Sequence, residues 1–131
     1  MKKFLFNWIP VIAYVSLIFV VSSLPVHVAE PTDKFIHFFE YAAMGFFTTR
    51  ALMLTFNLPR AWGLILGGLS AGLFGVLDEL HQYFVPGRNA SVGDALTDML
   101  GGFAGAAIFL LVGLYLYRSQ RLYTDPHGGC C

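Results

Sequence analysis

The chain reads as four apolar runs joined by short polar stretches, and its polar residues gather where the runs end. The runs lie at about 8–24, 35–54, 62–80 and 95–117. A helix of roughly 17–25 apolar residues crosses the hydrocarbon core of a bilayer. The first and fourth runs meet that length outright, and the third does so with its Asp78 end at the interface. The second is the weakest, because Glu40 and Arg50 interrupt it. Its centre, Tyr41 to Thr49, is uncharged, and Arg50 has the reach to snorkel towards a headgroup. The pattern predicts an all-α integral membrane four-helix bundle, a single membrane domain over 1–131 with a flexible tail at 118–131.

Composition agrees with this. Hydrophobic residues make up 56% of the 131 and charged residues 12%, about half the charged share of an ordinary soluble domain. The opening Lys2-Lys3 followed by an apolar run resembles a signal peptide, with Val26 to Ala29 as a poor cleavage site. The apolar stretch exceeds the usual h-region of about 7–15 residues, so a retained first helix is expected. Lys2, Lys3, Arg50, Arg60, Arg118 and Arg121 fall on one side of the alternating helices, and Lys34 and Arg88 on the other. The positive-inside rule then predicts both termini in the cytoplasm. The polar stretches at 33–41, 78–82 and 88–98 all fall on the opposite, outer side.

A net charge of zero and no basic stripe exclude nucleic acid as a partner. The two cysteines, Cys130 and Cys131, are adjacent and form no disulfide framework. The ending Gly128-Gly129-Cys130-Cys131 resembles a double-cysteine prenylation signal, but a disordered tail is the expected reading. Small-xxx-small pairs occur at Gly63/Gly67, Gly68/Gly72, Gly101/Gly105 and Gly102/Ala106. Close backbone approach drives helix association in lipid, so the third and fourth helices are expected to form a tight antiparallel hairpin. That hairpin brings Asp78 and Glu79 towards Asp94 and Asp98. Between them Pro86-Gly87 marks a turn, and Ser91 with Asp94 forms a variant capping box.

Within the second helix Asp33, His37, Glu40 and Tyr41 share roughly one face. An Asp one turn from a His is placed to orient the imidazole and raise its basicity. Asp78 stands at i, i+4 to Gln82 and i, i+3 to His81, and Asp94 stands at i, i+4 to Asp98. Three readings stay open. The carboxylates pair with Lys34 or Arg88 and tie helix ends together. They and His37 form a general acid/base set. Or histidines and carboxylates hold a divalent ion, although no recognised ligand spacing is present, so no metal and no cofactor is assigned. Phosphate-loop, dinucleotide and nucleophile-elbow motifs are absent from the sequence. Thr48, Thr49, Ser22 and Ser23 are expected to hydrogen-bond within or between helices.

Asp33-Lys34-x-x-His37-Phe38-x-Glu40-Tyr41 with Gly45, then Asp78-Glu79-x-x-Gln82-x-Phe84-x-Pro86-Gly87-Arg88, then Ser91-Val92-x-Asp94 and a glycine-rich helix, resembles the VanZ-like family. The resemblance implies a small bacterial membrane protein of about four helices. Its namesake is associated with low-level resistance to the glycopeptide teicoplanin; no reaction comes with the resemblance. The residues that match its pattern are Asp33, His37, Glu40, Tyr41, Asp78, Glu79, Gln82, Arg88 and Asp94. Where family members commonly have Asn, this chain has Asp98, which adds a negative charge or a proton. His81 lies outside the pattern.

The sequence thus predicts an acidic site at the extracytoplasmic face. His37, Asp33, Glu40, Asp78 and Glu79 are the candidate catalytic groups, with Asp33 orienting His37. Tyr41, Gln82, Arg88, Asp94 and Asp98 are the candidate binding groups. The expected partners are membrane lipids and a lipid-linked envelope substrate or a glycopeptide. Two alternatives remain: a scaffold whose polar residues tie helices, and a small transporter. An apparent lack of charge deep in the bundle speaks against proton coupling. Oligomeric state is left open.

Overall fold

The computed structural model describes residues 2–25, 32–88 and 90–124, with 118–124 by backbone alone. Four helices follow one another: α1 (Lys2–Ser22), α2 (Thr32–Phe56), α3 (Arg60–Gln82) and α4 (Val92–Thr124). The all-α expectation holds; α2, α3 and α4 run a few residues beyond their apolar runs, whereas α1 starts before its run and ends at Ser22, short of Leu24. α4 carries on to Thr124, into the segment read as a tail. The terminal cysteines and Val26 to Ala29 lie outside the described residues. Among those described, α1, α3 and the 92–117 part of α4 are long and apolar enough to cross a membrane. α2 does not reach that standard; Asp33, Lys34, Glu40 and Arg50 all fall within it.

α2, α3 and α4 pack against one another as the core, and α1 lies outside them, chiefly on α2. The buried positions of α2 include His37, Tyr41, Met44, Thr48 and Ala51, the stripe that a 3.6-residue repeat draws down one face. α1 buries only Asn7, Val11, Ile18 and Ser22, one thin stripe, and keeps Pro10 inside the helix. Proline removes one ladder donor, and neighbouring helices compensate for that inside a membrane. At one end Trp8 Nε1 donates to Thr55 Oγ1 at 3.1 Å, and Arg50 lies 5.5 Å from the Phe6 ring centroid. These contacts tie α1 to α2.

The glycines divide between two interfaces instead of serving the α3–α4 hairpin alone. Gly68, Gly72 and Gly75 of α3 face Phe103, Met99 and Asp98 of α4, as the hairpin requires. Gly63 and Gly67 instead meet Met53 and Thr49 of α2. Gly101 and Gly105 of α4 lie against the carbonyls of Phe38 and Ala42. Gly45 of α2 abuts Gly102, so that helix backbones touch without intervening side chains. Thr48 and Thr49 donate to the carbonyls of Met44 and Gly45, satisfying hydroxyls within the helix.

Outside the core, large apolar side chains are exposed on every helix, for example Phe35 at 63%, Leu73 at 61% and Leu111 at 63%. In water such a surface is an association liability; in a bilayer it is the face that meets lipid. The links are short. Asn57 adopts φ 52°, a left-handed conformation that asparagine tolerates at helix ends, and its N–H caps Met53 O at 3.0 Å. Gly87 at φ 88° forms the Pro86-Gly87 turn, closed by Arg88 N–H on Val85 O at 3.1 Å.

Candidate functional site

The last turn of α1, the start of α2, the end of α3 and the start of α4 meet at one end of the bundle. There Asp33, His37, Glu40, Asp78, Gln82 and Arg88 line a cavity of about 150 Å³, closed on the α1 side by Val21, Ser22 and Leu24. The three polar stretches therefore converge. Glu79, Asp94 and Asp98 stand buried beside this cavity, at 7%, 4% and 0% exposure, with His37 at 4%.

The closest pair is His37 and Asp98, with Nδ1 to Oδ1 at 2.9 Å. It joins α2 to α4. The orienting role expected of Asp33 thus falls to Asp98, the one position that departs from the resembled pattern. Asp33 lies in the cavity wall and acts on His37 through its field. The imidazole also stands 4.0 Å from Glu79 Oε1, a second carboxylate from a third helix. Asp98 fits only because residue 75 is glycine: a Cβ there would lie 2.5 Å from Asp98 Cβ and 2.8 Å from Oδ2. Asp98 is fully buried, but at the same end of the bundle as the rest of the cluster, in the second turn of α4.

The capping box at α4 is only half made. Ser91 Oγ accepts from Gly93 N–H at 3.1 Å, as an N-cap should. The Ser91 N–H, which a reciprocal box gives to the acidic partner, donates instead to Glu79 Oε2 at 2.7 Å. Glu79 thereby pins the end of α3 to the start of α4. Asp94 Oδ1 is left buried with no hydrogen-bond partner, and so is Asp98 Oδ2. Asp78 Oδ2 accepts from Gln82 Nε2 at 2.8 Å, which fixes the expected i, i+4 pair. Tyr41 is 1% exposed, with its hydroxyl 3.4 Å from Phe74 O, so it braces α2 against α3 from within the core.

His81 stands apart from this cluster. Its Nε2 is 3.0 Å from Ser23 Oγ and its ring lies 4.5 Å from that of Phe19. It hooks α3 to the end of α1. Ser23, expected to hydrogen-bond within or between helices, does both, since its Oγ also donates to Phe19 O at 2.6 Å. The part of α1 in the site escaped sequence reasoning, because apolar Val21 and Leu24 carry no chemical signal. Gly75, about one turn beyond Gly72 on the same helix, is the sequence signal that could have announced this close approach.

Beside the polar cavity an apolar cleft of about 260 Å³ opens between α1, α2 and α3. Val15, Ile18, Met44, Phe74 and Leu77 line it, and Asp78 belongs to the walls of both spaces.

Fold and site together define a small helical membrane protein with carboxylates and an imidazole buried at one end of its bundle. The chain belongs to the VanZ/LLP1 family, whose family model matches residues 2–113. That span contains every residue of the polar site and the apolar cleft. Neither a curated protein nor a solved structure matches the chain.

Proposed function

We propose that this end of the bundle faces the outside of a bacterial inner membrane. There it binds or acts on an amphiphilic envelope component, either a lipid-linked cell-wall precursor or an acylated glycopeptide such as teicoplanin. The observation that carries the reading is the junction of the two spaces at Asp78. A hydroxyl-rich or charged head suits the carboxylates and Arg88, and an acyl tail suits the apolar cleft. Family membership supports the same class of ligand, through the namesake's association with teicoplanin resistance.

The chemistry available is proton transfer and charge recognition. With Nδ1 donating to Asp98, Nε2 of His37 is the ring nitrogen left to exchange a proton with a ligand. Asp98 fixes the tautomer and stabilises the imidazolium, the part that a carboxylate plays in a hydrolytic triad. Arg88 is the group in the cavity wall suited to an anionic part of the head.

The test is teicoplanin susceptibility of a sensitive bacterial host producing the protein. His37→Ala should return the host to full susceptibility while membrane levels stay normal. A second reading, a pure interhelical tie, draws on the fact that His37–Asp98 and Ser91–Glu79 each join different helices. If the variant protein is lost from the membrane, that reading gains. Exchanging charges in Asp78→Arg with Arg88→Asp separates the two further: restored protection indicates a tie, and a well-folded but inert protein indicates a ligand site.

A further inference from the structure

The geometry points to a divalent metal site of mixed nitrogen and oxygen donors, of the kind that suits Zn²⁺ or Mn²⁺, formed by His37, Glu79 and Asp98. Each offers one donor atom, all within 4.8 Å of one another, and all three residues are buried. They come from α2, α3 and α4, so an ion here would bind the three core helices together at one point. Donors on a tetrahedral zinc stand roughly 3–3.5 Å apart, given metal–ligand distances near 2.0–2.2 Å. The observed separations from His37 Nδ1, 2.9 Å to Asp98 and 4.0 Å to Glu79, bracket that value.

A cluster of acids alone is weak ground, and two further observations carry the argument. Asp98 is 0% exposed, yet its Oδ2 has no hydrogen-bond partner. Asp94, one turn earlier on the same face of α4, is 4% exposed with Oδ1 likewise unpartnered, and its field acts on both Glu79 and Asp98. A buried carboxylate oxygen without a partner is expensive, and a cation bound by the Asp98 carboxylate offsets that cost, with Asp94 adding negative field beside it. One imidazole favours Zn²⁺, and two carboxylates also admit Mn²⁺, over Ca²⁺ or Mg²⁺, which prefer all-oxygen shells. Three protein donors leave a fourth position open, the arrangement of zinc sites that bind water or substrate. The ion displaces the proton between His37 Nδ1 and Asp98 Oδ1, so binding releases a proton.

The experiment uses the full chain in detergent with Cys130→Ser and Cys131→Ser, which removes the adjacent thiols as rival ligands. The protein is stripped with chelator and titrated with Zn²⁺, Mn²⁺, Mg²⁺ or Ca²⁺ alone. Bound metal is counted by mass spectrometry, and thermal stability is followed by circular dichroism. The expected result is one Zn²⁺ or Mn²⁺ per chain with a raised midpoint, and affinity at least about tenfold lower in Asp98→Asn and Glu79→Gln. His81→Ala should bind as the parent does. No saturable binding by the folded parent protein overturns the proposal. So does stoichiometric binding that survives both carboxamide variants in folded form. Metal content is read without any amphiphile, so this outcome and that of the susceptibility test are independent.

Discussion

Replacing Asp98 by alanine removes the hydrogen-bond partner of a histidine that has almost no access to solvent. Side-chain hydrogen bonds between transmembrane helices average about 0.6 kcal/mol and reach about 1.7, whereas charge-assisted bonds in water-soluble proteins give about 1.5–3. The His37–Asp98 contact is short, at 2.9 Å, and its partners are 4% and 0% exposed, so it belongs at the top of the membrane range. A coupling of about 1.5 kcal/mol follows. Each single truncation, His37→Ala or Asp98→Ala, should cost more, about 2–4 kcal/mol, because it also strands the other polar group. The double variant should then be more stable than the sum of the single effects by the coupling energy. Reversible unfolding in mixed micelles, followed by helical circular dichroism, gives all four corners of the cycle. A coupling below about 0.5 kcal/mol would refute the claim that this pair organises the site.

Three other outcomes follow from the packing and its hydrogen bonds. Gly105→Ala places a Cβ onto Ala42 O and 2.9 Å from Phe46 N, both backbone atoms that cannot step aside, and should cost about 1–3 kcal/mol in the same unfolding assay. Gly113→Ala meets nothing within 4 Å and should be neutral or slightly stabilising. Ser23→Ala releases the α1 end from His81 and should cost under about 1 kcal/mol, with teicoplanin susceptibility of the host unchanged.

The four helices were legible because an apolar run of membrane length has one economical backbone solution, a helix that satisfies its own polar groups. Convergence of the polar stretches at one end was legible too, since alternating helices of similar length bring their ends to common levels. The partners inside the cluster were not. Asp33 and His37 are close in sequence, and helical spacing alone made them a pair. The true partner of His37 lies 61 residues away, on α4. That choice depends on the rotation of α2 against α4, set by Gly101 and Gly105 under Phe38 and Ala42. Spacing within one helix carries no information about it. The same holds for Glu79, whose hydrogen bond to Ser91 N replaces half of a locally predicted capping box. Glycine patterns announced close packing, but one helix with glycines on two faces serves two neighbours, and sequence does not say which.

The central claim is that the polar cavity and the apolar cleft form one site for an amphiphile. The most direct test places a photoreactive side chain at Leu77, in the cleft wall, and at Leu111, which is 63% exposed on α4. Cells or membranes are then irradiated with labelled teicoplanin present. The account predicts saturable labelling from position 77, loss of that labelling in His37→Ala, and only unsaturable background from position 111. Equal labelling at both positions, or labelling at 77 that ignores His37, would contradict it.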